Sequence, residues 1–534
     1  MTDSTGRHIL DLSRRGLLRG ATAAAALAAL TPLATGPAIA QPRFAGSPFT
    51  CGIASGDPWP DGMVLWTRLA PEPLAGGGMR HRPVAVNWEV AEDEAMQRVA
   101  AKGMEYARPE LGHSVHAEVT GLRPGRPYFY RFTAGNEQSP VGRTRTAPAA
   151  ADTPARLRFV SAGCQHWESG LFTCWQHIAE EADVDFVFHY GDYIYEYATR
   201  ETGVRRHNSD EIYTIDDYRN RYALYRSDPA LRAAHAAHPF LMSFDDHEVD
   251  NNWAGEISEE DGSNRHPVAV PPEIFALRKQ IALQAWYEAM PVRRTALPRG
   301  PAMTAYRGLD WGRLARVNVL DTRSFRDDQP CGDVTGPPCA AVANPNAQVL
   351  GAAQERWLLD RLRADGPTWN ILGQQVPVMS RDFGTTGPVI SMDKWDAYPA
   401  ARARLLGHIQ AARVANVAVL TGDVHQAWAG VLKPDPASPA VAVEYIASSI
   451  SSFNGGGGMT ADGSEDLPAT ARTLERNPHI SFFNNRRGYT LHEADAARMT
   501  TWFRAVDYVK REGAPRLDKA KFVVEAGRAV LERG

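Results

Sequence analysis

Hydrophobic and polar residues alternate in two different ways along the chain. Up to about residue 150, short apolar runs such as MVLWTRL, VAVNWEV and YFYRFTA are separated by turns rich in Pro and Gly. Runs of β-branched and aromatic residues bounded by such turns are typical of β-strands. Farther along, apolar runs alternate with segments of helical periodicity, among them LFTCWQHIAEEA and FALRKQIALQAWYEAM. That second pattern predicts an α/β domain.

The first pattern predicts an all-β domain over residues 41–150. In HAEVTGLRPGRPYFYRF, a Leu, a Pro-Gly turn and a Tyr-rich strand follow one another, as at the tyrosine corner of a fibronectin type III-like sandwich. Any other small β-sandwich would fit the same pattern without changing the function. A Pro-, Ala- and Thr-rich stretch then predicts a boundary near residue 150. We assign residues 151–500 to the α/β domain and predict a charged helical tail over residues 501–534.

Polar residues that can bind a metal follow one predicted strand after another in the α/β region. They are Cys164, Asp192 with Tyr195, Asp246 with His247, Gln374 with Gln375, and Asp423 with His425. In open α/β sheets, ligands gather at the carboxyl ends of the strands. A single Asp after a strand is more often a loop cap, but five such ends in order are hard to assign to capping alone. The pattern therefore predicts a metal site at this edge of the sheet.

The overall composition is that of a globular protein, and it narrows the choice of partner. The chain has 534 residues, of which 44% are hydrophobic and 22% charged, and its net charge is -4. This length suggests two or three domains. Because the chain has neither a basic block nor an acidic tail, no nucleic-acid-specific binding is expected. A small or lipid-like substrate is expected instead.

The N-terminus has the pattern of an export signal. Arg14 and Arg15 in SRRGLLRG precede a weakly hydrophobic Ala/Leu stretch that ends in an Ala-Ile-Ala cleavage pattern. This looks like a twin-arginine signal peptide over residues 1–40, cut after Ala40. The alternative is an anchoring transmembrane helix, which two prolines and the shortness of the apolar run disfavour. We predict a periplasmic or secreted protein that meets the twin-arginine translocase during export and has no stable membrane anchor.

Five cysteines would enter the oxidising compartment to which such a signal leads. Cys331 and Cys339 flank the loop CGDVTGPPC, and we expect a short-loop disulfide between them. Cys51 and Cys174 fit buried core residues. The odd count leaves at least one cysteine unpaired or bound to something else.

Several longer motifs resemble one known family. SAGCQ, GDYIYEY, DDHEVDNNW, LDTRSFRDDQ, NILGQQ, SMDKWDAYPA, LTGDVHQAW and NPHISFFNNRRGY look like the motifs of the PhoD-type alkaline phosphatases, which follow the metallophosphoesterase plan. The resemblance runs from about residue 45 to residue 490. It implies an α/β metallophosphoesterase-like sandwich, with mixed β-sheets flanked by helices, behind a small β domain. It also implies a secreted, metal-dependent phosphatase or phosphodiesterase that acts on small-molecule or polymeric phosphate esters.

The resemblance also implies an iron site. The family's Fe(3+) is held by a cysteine thiolate and a tyrosinate, which match Cys164 and Tyr195. Asp192 matches the bridging aspartate, and His425 is the imidazole expected on the iron side. The chemistry of these residues agrees, since thiolate and phenolate are strong anionic donors that suit a trivalent iron.

A Ca(2+) ion is implied beside the iron. The residues expected to bind it are Asp246, Asp423 and Asn252. Carboxylate and amide oxygens suit calcium, which takes several hard ligands at loose geometry. A zinc site would call for a tight cluster of Cys and His residues, and no such cluster appears in the sequence.

Two such cations predict attack on phosphorus by a metal-bridged hydroxide, with Asp192 as the bridging carboxylate. His247 could bond a phosphate oxygen, protonate the leaving alkoxide, or only form a strand-end hydrogen bond. Gln374 and Gln375 could orient a water or only cap their strand. Arg200 is the arginine nearest to GDYIYEY that could contact phosphate.

Two other functions fit the same residues. One is a phospholipase D-like phosphodiesterase that releases a head group. The other is a non-catalytic phosphate- or polymer-binding protein that kept the fold. The intact set of ligand-type residues disfavours this second alternative, because decayed sites usually lose one or two of them.

Overall fold

The structure is a computed structural model of the whole chain. It describes residues 42–534 apart from residues 201, 264 and 454–464. The predicted signal peptide over residues 1–40 therefore lies outside the described residues. Strands and helices are numbered along the chain from the first described residue.

The centre of the molecule is a pair of large β-sheets packed face to face. Within the described residues, the first sheet has ten strands, in the order β24 (Glu532–Arg533), β23 (Arg516–Glu525), β22 (Arg498–Val506), β21 (Gly488–Ala494), β9 (Leu157–Ala162), β10 (Phe186–His189), β11 (Pro239–Met242), β1 (Ile53–Trp59), β2 (Gly62–Arg68) and β5 (Ser114–Val119). The second has seven strands, in the order β12 (Arg307–Trp311), β13 (Ala315–Val319), β15 (Trp369–Gly373), β17 (Val417–Thr421), β19 (Ala442–Ile446), β18 (Ala427–Leu432) and β20 (Ile480–Asn484).

Two smaller sheets complete the β-structure of the described chain. One consists of β4 (Val99–Ala107), β3 (Val84–Ala91), β6 (Pro127–Ala134), β7 (Glu137–Gln138) and β8 (Gly142–Arg145), the last paired with β6. The other is a short pair, β14 (Thr335–Gly336) and β16 (Ile390–Ser391).

Helices cover the outer faces of the two large sheets. They are α1 (Thr173–Glu180), α2 (Ile215–Arg226), α3 (Pro229–Ala237), α4 (Pro272–Ala289), α5 (Gly351–Arg361), α6 (Pro399–Ala411) and α7 (Leu467–Arg476). The first four bury apolar residues against the first sheet, whereas α5 and α6 do so against the second. No helix in the described part of the chain is long and apolar enough to cross a membrane.

Strand periodicity separates the inner core from the outer ones. In β10, Phe186 and Phe188 lie in the core between the two sheets, together with Ile371 and Leu420 of the second sheet. Val187, between the two phenylalanines, lies instead in the core under the helices. Successive residues of a strand point to opposite faces, so an all-apolar strand can serve both cores. The architecture confirms the predicted α/β sandwich of mixed sheets flanked by helices.

The N-terminal β region is joined to the centre of the molecule. Its strands β1, β2 and β5 belong to the first large sheet, where β1 pairs in parallel with β11. The smaller sheet around β3 and β6 packs over them, with Met63, Val86 and Tyr130 in the shared core. The hydroxyl of Tyr128 accepts a hydrogen bond from the backbone N–H of Arg123 at 3.0 Å, as at a tyrosine corner. The likeness to a fibronectin type III domain stays a prediction.

The prediction of a helical tail over residues 501–534 is wrong, because most of this segment is strand. Strands β22 and β23 form an antiparallel hairpin that extends the first sheet beyond β21. Phe503, Phe522 and Val524 enter the core between the sheets, while charged residues between them face solvent. The segment therefore has the two-residue period of a half-buried strand, and the density of charges concealed that period.

Candidate active site

The predicted site residues meet where the parallel strands of both sheets end. Strands β9, β10 and β11 run parallel in the first sheet, and β13, β15, β17 and β19 in the second. Cys164 follows β9, Asp192 follows β10 and Asp246 follows β11, while Asp423 and His425 follow β17. The loops after these strands bring the side chains to one edge of the sandwich, as the sequence predicts.

The backbone at the site is unusual. Cys164, Asp192, Asn252, Asp423 and His425 all have left-handed conformations, with φ of 52°, 54°, 52°, 65° and 54°. Such a conformation costs a non-glycine residue roughly 1–3 kcal/mol and is concentrated at functional sites. The surrounding sheets therefore hold these five residues in place against a local preference for other conformations.

Glycines before two of the aspartates allow the strands to come close together. Gly191 has φ of 127°, and a side chain there would collide with the backbone of Asp245. A side chain at Gly422 would collide with the ring of Tyr190. The Gly-Asp pairs visible in the sequence thus mark places where only glycine lets the following aspartate reach the site.

One group of side chains contains the residues predicted to bind iron. Cys164, Asp192 and His425 each offer a ligand atom, and these atoms lie within 4.8 Å of one another. The hydroxyl of Tyr195 donates to Oδ2 of Asp192 at 2.8 Å and lies 3.1 Å from Nε2 of His425. Ser452 donates to the same hydroxyl at 2.7 Å. The structure thus brings all four predicted residues together.

Two further groups extend the site on the other side of Asp192. Asp192, Asp246 and His247 form one, and Asp245, Asp246 and Asp423 form the other, each with ligand atoms within 4.8 Å. Asp192 therefore belongs to two groups at once. Its Oδ1 atom is buried and has no hydrogen-bond partner among the described residues.

Asn252 lies beside these carboxylates. Its backbone N–H donates to Oδ2 of Asp246 at 2.9 Å, and its amide nitrogen donates to Oδ2 of Asp333 at 2.7 Å. Because Asp333 engages the amide nitrogen, the amide oxygen is the atom that Asn252 could offer to a cation. Asp333 lies in the loop closed by the predicted disulfide between Cys331 and Cys339, which is present. Cys51 and Cys174 are free and buried, as expected.

These residues fit bound metal. Burial, together with the negative charges of Asp192 and Asp423, raises the pKa of the Cys164 thiol well above its usual value. Burial and the charge of Asp192 likewise raise the pKa of the Tyr195 phenol. A coordinated cation reverses this effect and stabilises the anionic ligand. The groups around Asp192 can therefore hold metal ions, and the unpartnered oxygen of Asp192 offers a ligand atom.

His247 is held by a carboxylate that sequence reasoning missed. Its Nδ1 lies 2.8 Å from Oε2 of Glu196, whose other oxygen accepts the backbone N–H of Asn251 at 2.9 Å. Burial opposes a charged imidazole, but the charges of Glu196, Asp246 and Asp192 outweigh it and raise the pKa of His247 well above its usual value. His247 lines the cavity at the site. The imidazole is therefore fixed in the wall of the cavity. Glu196 lies within the GDYIYEY motif, and its place in that motif is the only feature of the sequence that could have indicated it.

Arg323 was also missed, although LDTRSFRDDQ contains it. This fully buried arginine donates through Nε to Asp245 at 2.6 Å and through Nη1 to Asp393 at 2.7 Å. Its Nη2 atom lies 3.7 Å from Asp246 and 3.5 Å from Asp423. Arg323 therefore orients these four aspartates and partly neutralises their charge from within the protein.

The cavity at the site has a volume of about 280 Å³ and contains two basic side chains that the sequence did not single out, Arg381 and Lys394. Lys394 forms ion pairs with Asp393 and Asp423. Arg200, the arginine nearest to GDYIYEY in sequence, does not line this cavity. It is exposed, and its guanidinium lies over the ring of Tyr197 at 5.4 Å.

Gln374 and Gln375 are occupied by hydrogen bonds inside the protein. Gln374 donates to the hydroxyl of Thr421 at 2.8 Å, and its oxygen accepts from the indole of Trp395 at 3.2 Å. Gln375 donates to the hydroxyl of Ser243 at 2.6 Å, and its oxygen accepts from the backbone of Thr322 at 3.0 Å. Of their two predicted roles, these contacts favour strand-end bonding.

A two-sheet sandwich with carboxylates, imidazoles and a thiol at its strand ends defines a class of metal-binding α/β proteins. The sequence model described as PhoD-like phosphatase matches residues 159–503, and that of the PhoD-like phosphatase N-terminal domain matches residues 34–148. The chain therefore belongs to the PhoD-like phosphatase family.

Similar proteins support the same assignment. Alkaline phosphatase D of Bacillus subtilis (strain 168) is 46% identical over 503 residues, which are 92% of this chain and 84% of the relative. A solved structure described as the structure of PhoD superimposes with a TM-score of 0.87 at 45% identity and covers 92% of this chain and 93% of its own. The chain is a phosphoric ester hydrolase, and phosphate esters are its substrates.

Proposed function

We propose that the chain is an alkaline phosphatase or phosphodiesterase that uses two cations, Fe(3+) and Ca(2+), held on either side of Asp192. The observation that carries this proposal is the position of Asp192. Its carboxylate is shared between the Cys164 group and the Asp246 group, and its Oδ1 is buried without a partner among the described residues. A carboxylate in that position can bridge two cations.

The two sides of Asp192 differ in chemistry. On one side lie the thiol of Cys164, the phenol of Tyr195 and the imidazole of His425, a set of donors that favours Fe(3+). On the other lie the carboxylates of Asp246 and Asp423, with the amide of Asn252 beside them. Such oxygen ligands favour Ca(2+).

The side chains divide the work of hydrolysis. When bound, the cations supply positive charge for the phosphoryl oxygens and acidify a water that can attack phosphorus. Asp192 would bind both cations when they are present, and Arg323 holds Asp245 and Asp393 so that the carboxylates keep their positions. His247, fixed by Glu196, gives a proton to the leaving alkoxide.

The proposal covers both monoesters and diesters of phosphate. Monoesters and diesters, small or polymeric, are compatible with a site at the rim of the sandwich, and a phospholipase D-like diesterase would use the same residues. A non-catalytic phosphate- or polymer-binding protein is disfavoured, because every predicted ligand is present and the family is one of phosphatases.

We also propose that the protein is exported by the twin-arginine translocase to the periplasm or beyond. Arg14 and Arg15 and the Ala-Ile-Ala sequence before residue 41 support this proposal. The disulfide between Cys331 and Cys339 agrees with it, since such bonds persist in oxidising compartments.

Metal analysis of the exported protein tests the proposed iron and calcium site. We expect roughly one iron and at least one calcium per chain, with a visible absorption band from the thiolate or tyrosinate. Cys164→Ser should lose the iron, the band and turnover. Cys174→Ser, which alters another buried cysteine ten residues along, should keep all three. Zinc alone, or iron retained in the folded Cys164→Ser protein, would show that the ligands are assigned wrongly.

A further inference from the structure

Arg381 is a cation on the cavity wall that the hydrolytic centre does not use. It lies in the loop between β15 and β16, and its guanidinium is half-buried. Nη1 donates to Oε1 of Gln426 at 2.7 Å, and Nη2 donates to the hydroxyl of Thr473 at 3.3 Å. Both acceptors are neutral. Among the residues that the structure describes, no carboxylate forms an ion pair with this guanidinium.

Three aromatic rings hold the guanidinium in place. Its carbon lies 4.3 Å from the ring centre of Phe383 and 4.8 Å from those of Trp428 and Phe483. Cation–π contacts of this kind fix an arginine without neutralising it. Burial lowers the pKa of Arg381 to about 10, so the side chain stays charged at neutral pH.

The other basic groups around the site are already neutralised. Arg323 pairs with Asp245 and Asp393, and Lys394 pairs with Asp393 and Asp423. A carboxyl does lie near Arg381, but Asp396 accepts its backbone N–H at 2.9 Å and forms no ion pair with its guanidinium. Arg381 therefore differs from its neighbours in having its positive charge available to a ligand.

Apolar side chains line part of the cavity that Arg381 shares with the metal-binding residues. Pro377, Met379, Val424 and Trp428 line the same cavity as Arg381 and His425. Gln426, which accepts from Arg381, directly follows His425. A ligand in this cavity can thus contact the metal-binding residues, apolar side chains and the guanidinium of Arg381 together.

We propose that Arg381 forms a second anion subsite, which selects phosphate esters whose alcohol portion carries another anionic group at the end of a short aliphatic chain. This inference rests on the proposed function, which places the phosphate that is cleaved at Asp192 and Asp246. Arg381 determines specificity and takes no part in bond cleavage.

Two matched substrates test the subsite. Butanediol bisphosphate and hydroxybutyl phosphate share the ester that is cleaved and differ only in the second phosphate. The metal-loaded wild-type enzyme should prefer the bisphosphate in kcat/KM by about tenfold or more, the effect of one charge-assisted contact. Arg381→Gln should remove this preference and leave kcat/KM for hydroxybutyl phosphate within about twofold of wild type. Arg381→Lys, which keeps the charge, should retain part of it.

The control variant is Arg472→Gln. Arg472 is exposed on α7, next to Thr473, so this substitution makes the same change in net charge away from the cavity. It should keep the wild-type preference. A wild-type enzyme with no preference would overturn the subsite, and this result needs no variant to fold. Equal losses on both substrates in Arg381→Gln would also overturn it. Failure of the proposed function would look different, because Asp192→Asn would then still hydrolyse hydroxybutyl phosphate.

Discussion

At the scale of single residues, the contact between His247 and Glu196 supports the catalytic role proposed for His247. The carboxylate occupies Nδ1 of His247 at 2.8 Å, so Nε2 is the nitrogen left to act on substrate. Of the three roles that the sequence allows for His247, a strand-end hydrogen bond alone does not explain a buried carboxylate that holds the ring in the cavity wall.

Leaving-group dependence distinguishes the two remaining roles of His247. His247→Gln should lower kcat for an alkyl phosphate by about 10²–10⁴-fold, because an alkoxide needs a proton to leave. The loss with p-nitrophenyl phosphate should be much smaller, since nitrophenolate leaves without one. His479→Gln, which changes a histidine bonded to the backbone of Ser380 outside the cavity, should change neither rate. Equal losses on both substrates would make His247 a phosphate contact instead.

The sequence identified the residues at strand ends but not those that hold them. Cys164, Asp192 and Asp423 could be found because each follows an apolar run. Arg323 contacts Asp245 and Asp393, which are 78 and 70 residues away, and no local pattern reports such a pairing. Arg381 was missed for the same reason, since its partners Gln426 and Thr473 are distant in sequence.

At the scale of elements, His116 links strand β5 to the end of helix α4. Its Nε2 lies 2.9 Å from the carbonyl of Tyr287 and 3.0 Å from that of Met290, and its ring stacks on Tyr287 at 4.3 Å. Burial lowers the pKa of His116 to about 4, so it is neutral in the folded protein near pH 6. The unfolded chain takes up a proton below about pH 6.5.

The junction therefore predicts acid sensitivity. Between about pH 6.5 and pH 4 the unfolded state binds a proton that the folded state does not. The free energy of unfolding therefore decreases by up to roughly 3 kcal/mol as the pH is lowered through this range. Denaturant titrations should show that His116→Gln loses less free energy of unfolding between pH 7 and pH 4 than the wild type does, and that the difference is of that size. His81→Gln, at an exposed position, should keep the wild-type pH dependence. An unchanged slope in His116→Gln would contradict this assignment.

Elements of the α/β region were predicted well because each has a strong local period. Helix α1 falls within the predicted helical segment LFTCWQHIAEEA, and α4 covers most of FALRKQIALQAWYEAM but begins three residues earlier, at Pro272. Strands β10 and β17 come just before Asp192 and Asp423, where strands are predicted. The tail was mistaken for a helix, because the charges of RLDKAKFVVE conceal its two-residue period. The order of strands in the sheets could not be predicted at all, since it depends on contacts between distant segments.

At the scale of the whole molecule, the N-terminal region and the α/β region form one folded body. Strand β1 pairs with β11, and the indole of Trp66 in β2 donates to the carbonyl of Glu288 in α4 at 2.9 Å. The guanidinium of Arg226 lies over the ring of Trp66 at 4.3 Å. The sequence pattern therefore changes near residue 150, but strands from both sides of this position belong to one continuous sheet.

Calorimetry tests this continuity. A chain without residues 1–40 should unfold in a single transition, with matching calorimetric and van't Hoff enthalpies, because neither region keeps its sheet alone. A chain that begins at residue 151 should be insoluble, since the edge of β11 and the apolar face beneath β1 and β2 would be exposed. Two resolved transitions, or a soluble and active shortened chain, would show that the regions fold independently.

The parallel pairing of β1 with β11 also determines when the first sheet can form during synthesis of the chain. Ser55 of β1 pairs with Pro239, and Ser161 of β9 pairs with Thr490. A ribosome that adds about 5–20 residues per second delivers β11 roughly ten seconds or more after β1, and β21 later still. The middle of the first sheet therefore waits for the last hundred residues to be synthesised. Chains released early from the ribosome would lack β21, one of the two neighbours of β9, and with it part of the support for the loop of Cys164.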